Sequence, residues 1–256
     1  MKPQEILYSG MKKIALIPAR YASTRFPYKL VQLLGDKPVI IHTYENTVGT
    51  GLFDEVIVVT DSEIIYHEVA SRGGKVMMSQ KEHESGSDRI AEAAEYLDAD
   101  IILNVQGDEP FVEKAPLEKL LNCFEGEEGK KVKVASIMQE LKDEAAIKDP
   151  NVVKVVVDKN NYSLLFSRSV IPYLRDNNAP VKYYGHIGVY AFRRDTLLMF
   201  PKMEMTPLEI AEKIECLRFL ENGIPLKMVE TEYPGVKIDT KEDFEKAKEY
   251  YAKLNT

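Results

Sequence analysis

The chain has 256 residues, 45% of them hydrophobic and 29% charged, enough for one large domain or a domain with a small appendage. Its 34 basic and 41 acidic residues give a net charge of −7, which argues against a nucleic-acid binder but leaves room for a small anionic substrate held by a local basic cluster. No apolar run is long enough to span a bilayer, Met1 to Gly10 lacks the apolar core of a signal peptide, and two distant cysteines, Cys123 and Cys216, read as free thiols, so a cytoplasmic protein without membrane insertion is expected.

Met11-Lys-Lys offers a second start, so residues 1–11 read as a ragged end before a single domain over 12–256. Ile14 to Ile17 is a short buried strand closed by Pro18. Pro38 to about Val48 reads as a helix with proline in its first turn. Glu55 to Asp61 is a β-branched strand; Ser62 caps a helix to about Arg72, stopped by Gly73-Gly74. Lys75 to Met78 is a third strand. Ser87 or Ser85 caps a helix with Ile90, Ala93, Ala94 and Leu97 on one face, and Asp100 to Asn104 is the next strand. This alternation predicts an α/β fold: a mixed, mostly parallel central sheet with helices on both faces.

After about residue 130 the rhythm changes. Val132 to Ile137 is a strand, Val152 to Asp158 and Tyr162 to Phe166 form an antiparallel hairpin, and Tyr183 to Arg193 is a strand with alternating aromatic residues. Residues 139–190 read as a small antiparallel insertion that builds a lid, an acceptor site or a dimer contact. Thr206 to Asn222 then reads as one helix with Ile210, Ile214 and Leu217 aligned, Leu226 to Glu230 as a strand, and Lys241 to Lys253 as a last helix with Phe244, Ala247 and Tyr251 inward.

Two segments carry chemistry on the residues alone. Asn104-Val-Gln-Gly-Asp-Glu-Pro110 follows a buried strand and presents Gln106 and Asp108 on a glycine turn, where an open α/β sheet places its ligand. A carboxylate there suits Mg²⁺, which binds through one or two carboxylates plus substrate phosphates. A plain turn is the competing reading. Pro18-Ala-Arg20-Tyr-Ala-Ser23-Thr24-Arg25-Phe-Pro-Tyr-Lys29 puts three cations and two hydroxyls at the end of the first strand, which favours a triphosphate over a merely solvated loop. It matches neither the dinucleotide nor the P-loop glycine pattern. On the residues alone Asp239 reads as a structural turn residue ahead of a Thr240–Asp243 capping box.

The same loop closely resembles the signature of sugar-activating cytidylyltransferases, most specifically the family that activates 3-deoxy-manno-octulosonate (Kdo). Val59-Thr60-Asp61, His83-Glu-Ser-Gly-Ser-Asp-Arg89, the Gln-Gly-Asp-Glu-Pro stretch, Gly185-His-Ile-Gly-Val-Tyr190 and Val236-Lys-Ile-Asp239-Thr240 resemble that family in order, from about Lys12 to the end. The resemblance implies a Rossmann-like, nucleotide-diphospho-sugar transferase fold and a homodimer. It implies that CTP and Kdo give CMP-Kdo and pyrophosphate with Mg²⁺, for lipopolysaccharide. It implies Lys29, Asp108 and Arg20 as catalytic residues, and Arg20, Ser23, Arg25, Lys29, Ser85, Gly86, Arg89 and Asp108 around the nucleotide. It further implies Gln106, Arg168, His186 and Glu215 around Kdo, and Asp108 and Asp239 as metal ligands. Alternatives are a cytidylyltransferase for another 2-keto acid such as a sialic acid, a nucleotide-sugar binder without turnover, and a glycosyltransferase, which a short Asp-x-Asp motif would favour.

Overall fold

A computed structural model describes residues 10–254 except 24, 82, 84, 177 and 233–235; most of the expected ragged end therefore lies outside the described residues. In chain order the elements are β1 (Lys13–Ala19), β2 (Leu33–Leu34), β3 (Lys37–Pro38), α1 (Val39–Gly49), β4 (Glu55–Thr60), α2 (Glu63–Ala70), β5 (Val76–Met78), α3 (Gly86–Glu95) and β6 (Ile101–Asn104). Then come α4 (Lys114–Asn122), α5 (Gly126–Gly129), β7 (Val134–Leu141), α6 (Glu144–Lys148), β8 (Lys154–Val157), β9 (Ser163–Ser167) and β10 (Tyr183–Arg193). The chain continues through α7 (Arg194–Met199), α8 (Pro207–Glu212), α9 (Leu217–Glu221), β11 (Lys227–Glu230) and α10 (Lys241–Leu254).

The main sheet runs β11-β7-β10-β6-β1-β4-β5. Only β10 opposes its neighbours β6 and β7; β1, β4, β5 and β6 are mutually parallel, as are β7 and β11. Continuous apolar runs in β1 and β6 follow from cover on both faces. Ala15 and Ile17 join one core with Ile40 of α1, Ile65 of α2, Leu120 of α4 and Phe244 of α10. Their alternates Ile14 and Leu16 join the other with Ile90 of α3, Leu197 of α7 and Leu217 of α9. The expected architecture is thus present, including the β8–β9 hairpin.

β10 has three strand partners. Its second half pairs β6 and β7, its first half pairs β7 on one side and β8 on the other, and the register shifts between Ile187 and Tyr190. β8 therefore takes the stretch of β10 that β6 leaves unpaired, which sets the hairpin beyond the end of β6.

Of the two caps expected for α3, Ser85 is the one used, its Oγ accepting from Asp88 N at 3.1 Å. The helix expected over 206–222 is two helices broken at Lys213, whose φ of 54° and ψ of 48° are left-handed. Ile210, on the broken half, is 50% exposed rather than aligned with the buried Ile214 and Leu217. The cause is tertiary: Arg168 donates to the carbonyls of Glu212 (2.6 Å) and Lys213 (3.4 Å), taking acceptors that a continuing helix would need.

Candidate active site

β1 lies between β4, which follows it in the chain, and β6, which comes later on the other side. The loops leaving β1 and β6 therefore part at a topological switch point, the usual crevice for a ligand. A cleft of about 230 Å³ opens there, lined from β1 by Pro18 and Arg20, from the next turn by Arg25 and Lys29, and from β6 by Gln106, Gly107 and Asp108. Gly107 is required by close approach: a Cβ on it would stand 2.8 Å from the Pro18 carbonyl.

The floor of the cleft is a knot of charges from opposite ends of the chain. Lys29 Nζ donates to the Asp108 carboxylate, to Asp239 Oδ1 at 3.0 Å and to the Ile238 carbonyl at 2.8 Å. Asp239 Oδ2 also meets Arg25 and Lys237, each at 3.3 Å. Ile238 N donates to Asp108 O at 3.0 Å, which ties the segment before α10 to the turn after β6. Burial pushes the Asp239 carboxyl up, but Lys237, Lys29 and Arg25 outweigh it and hold the group down at about 2. The same carboxylates, with Glu109, outweigh burial at Lys237 and raise its ammonium.

The capping reading of Asp239 is also correct. Thr240 N and Asp239 N donate to Asp243 Oδ2 at 2.9 and 3.3 Å, and Asp243 N donates to Thr240 Oγ1 at 3.1 Å. The reciprocal cap of α10 fixes the backbone from which the Asp239 carboxylate reaches the cleft.

Asp108 and Asp239 converge on a single cation, the Lys29 ammonium. Two hard oxygen donors about one cation position fit an ion that takes one or two protein carboxylates and completes its shell from phosphates and water. Among the described residues no three His, Cys, Asp or Glu gather into a cage. The donor set suits an ion shared with a substrate.

The opposite wall comes from the turn before α3. Ser85, Gly86 and the buried His83 face the cleft. Arg89 lines it too, with one donor on Asp61 Oδ2 (2.6 Å) and one on Ser79 Oγ (2.9 Å). It braces β4 and the end of β5 against α3, which accounts for Asp61. His83 Nε2 meets Glu92 Oε2 at 2.5 Å, and Glu92 Oε1 accepts from Gln80 N at 2.7 Å, so one carboxylate pins the loop ahead of Ser85.

A second cavity of about 600 Å³ adjoins the first and shares Arg25, Gly86, Gln106, Lys237 and Asp239 with it. Here Gln106, Arg168, His186 and Glu215 come together. Glu215 sits in the break between α8 and α9, accepts from Ser87 Oγ at 2.8 Å, and has its pKa raised by burial. His186 touches the rings of Phe166 and Tyr190, with Ser136 Oγ 2.9 Å from Nε2, and burial lowers it to about 4. Its imidazole is neutral at pH 7 and offers hydrogen bonds without charge. Gln106 Nε2 donates to Gly188 O at 3.1 Å and stands at the junction of the cavities. Arg168 commits three donors to the carbonyls of Glu212, Pro150 and Lys213, leaving two of its five N–H groups.

Of the residues singled out from the sequence, all but Ser23 line one or both cavities; Ser23 lies on the same basic loop, outside the lining. The sequence reading missed Lys237 and Lys213. Lys237 had a signal, since it stands two positions before Asp239, one alternation step in an extended segment. Lys213 had none, because its place depends on the break in the helix.

Comparison with known proteins follows the same lines. The Cytidylyltransferase family profile matches residues 14–249. A 3-deoxy-manno-octulosonate cytidylyltransferase of Flavobacterium johnsoniae is 58% identical over 238 residues, covering 93% of this chain and 98% of that one. The protein of the same name from Christiangramia forsetii is 54% identical, covering 92% and 95%. Among solved structures, a CMP:2-keto-3-deoxy-manno-octonic acid synthetase complexed with CTP superposes with a TM-score of 0.90 at 36% identity, covering 95% of this chain and 99% of that one. A 4-diphosphocytidyl-2C-methyl-D-erythritol synthase from Anaerococcus prevotii shares the fold at a TM-score of 0.63 and 20% identity, covering 94% and 99%.

Proposed function

The chain belongs to the 3-deoxy-manno-octulosonate cytidylyltransferase family, and from that premise we propose that its two joined cavities hold CTP and Kdo and convert them to CMP-Kdo and pyrophosphate. The observation that carries this reading is the junction itself: two carboxylates and a ring of cations stand where the first cleft opens into the second cavity.

The anomeric hydroxyl of Kdo attacks the α-phosphorus in line while pyrophosphate leaves, so positioning and charge neutralisation do most of the work. Arg20, Arg25, Lys29 and Lys237 neutralise the triphosphate and then the departing pyrophosphate. Asp108 and Asp239 would hold Mg²⁺, which when bound would supply charge stabilisation at the phosphate. Lys29 offsets the repulsion between the two carboxylates, and the capped turn before α10 keeps them in register. Ser85 and Gly86 present the turn that reads cytosine; donors and acceptors placed for an amino-pyrimidine are left unpaired by uracil. Gln106, neutral His186 and Glu215 take sugar hydroxyls, and the free edge of Arg168 takes the carboxylate.

The product feeds lipopolysaccharide assembly, and the enzyme works in the cytoplasm; no helix among the described residues is long and apolar enough to cross a membrane. The acting form is a homodimer. Support comes from β9, where consecutive Leu164 (63%) and Leu165 (37%) are both exposed, with Tyr173 (86%) beyond them.

The test is pyrophosphate release from CTP and Mg²⁺ with a panel of 2-keto sugar acids, with and without a chelator. The proposal expects release with Kdo, loss on chelation and recovery on adding Mg²⁺. Release with a sialic acid but not Kdo would move the assignment to the alternative acid, and undiminished release under chelation would remove the metal.

A further inference from the structure

Arg20 and Lys29 bound the basic loop, and a tyrosine stands just inside each of them. Tyr21 packs against the core that lies under β1. Tyr28 is 48% exposed, yet its ring centroid lies 4.4 Å from that of Tyr21 at an interplanar angle of 38°. Its backbone is left-handed, with φ of 59° and ψ of 23°. That region favours glycine and is strained for an aromatic residue, so a contact must hold it there. The ring pair is such a contact.

The two features act on the same atoms. The left-handed residue reverses the chain, so that the turn Lys29–Val31 starts pointing back toward the cleft and Lys29 Nζ reaches Asp108, Asp239 and the Ile238 carbonyl. The ring pair closes the loop between its two boundary cations, which removes conformations that a triphosphate would otherwise have to restrict on binding. We propose that Tyr21 and Tyr28 are positioning residues of the triphosphate loop: their ring contact clasps it, and the left-handed backbone at Tyr28 aims Lys29.

This deepens the CTP reading and rests on it, and four variants separate the two. Tyr28→Phe keeps ring and backbone, and its kinetics stay within about twofold of wild type. Tyr28→Gly keeps the left-handed backbone without the ring, and Tyr21→Leu removes the other ring; both raise KM for CTP about tenfold, with kcat within about threefold. Tyr28→Val loses both ring and backbone preference, so kcat also falls by about tenfold or more. KM for Kdo stays within about twofold throughout, a split that general loosening of the fold would not give. Calorimetric CTP binding and thermal midpoints accompany the kinetics, and if Tyr28→Val does not fold, the Gly and Leu variants decide. Wild-type KM for CTP in Tyr28→Gly and Tyr21→Leu would overturn the clasp. Failure of Tyr28→Phe to the level of Tyr28→Gly would overturn it too, by assigning the role to the hydroxyl. Failure of the CTP reading shows differently, as wild type binding no CTP.

Discussion

Acidification to pH 5 will cost this fold stability through one imidazole, that of His186. Its ring is enclosed by Phe166 and Tyr190 with Ser136 at Nε2, and burial lowers its pKa from 6.5 to about 4. Above pH 6.5 it is neutral in both folded and unfolded chains and has no effect on the balance. Between 6.5 and 4 the unfolded chain takes up a proton that the folded chain refuses, so stability falls as pH falls, and the loss is complete below 4. At about 1.4 kcal/mol per pH unit, pH 5 costs about 2 kcal/mol relative to pH 7. The measurement is a difference of differences, so that only the His186 contribution remains. Urea unfolding of wild type and His186→Gln at pH 7 and pH 5 should show wild type losing about 2 kcal/mol more than the variant. Equal losses in the two proteins would mean that the ring is solvated and free to charge, and the neutral-imidazole reading of the sugar cavity would go with it.

Asp108→Asn is expected to lower kcat/KM by about 100-fold or more while leaving the thermal midpoint near wild type; near-normal product formation would contradict its place at the metal. Arg168→Ala should raise KM for Kdo about tenfold with KM for CTP unchanged, and should lose about 2 kcal/mol of stability because three carbonyls lose their donor; equal loss for both substrates would argue against the sugar contact. Arg218 and Glu209 form a buried pair at 2.6 and 2.8 Å. Arg218→Met alone should cost about 3–5 kcal/mol by stranding the Glu209 charge, and adding Glu209→Leu should restore most of it; an equally unstable double variant would show that the loss is packing rather than charge.

The parallel part of the sheet was legible because β1, β4 and β6 are buried on both faces and so read as short unbroken apolar runs bounded by turn residues. The Asp108 turn was visible for the same reason, as a carboxylate on a glycine turn after such a run, but a plain turn competed with it until the structure set it in the cleft beside Lys29. Helix α4 went unread, although Leu117, Leu120 and Leu121 carry a helical spacing, because Pro116 interrupts its first turns. The break at Lys213 carried no local sign at all. Residues 206–222 hold a helical pattern with no internal glycine, and the interruption comes from Arg168, a residue of the hairpin. That break sets Glu215 facing the cavity, so the residue was found through the resemblance, while the reason for its place lies in long-range contacts. Lys237 shows the intermediate case, a nearby pattern present but overshadowed by the capping box behind it.

The backbone bond from Ile238 to Asp108 also has a temporal meaning. A growing polypeptide on the ribosome can complete every strand through β11 and still own only half of its carboxylate pair. On the proposed mechanism, competence arrives only after β11, when Asp239 and the cap of α10 emerge together. Cleavage of the chain just ahead of that helix would silence the enzyme while sparing most of its architecture, so loss of that segment should register as inactive protein before it registers as unfolded protein.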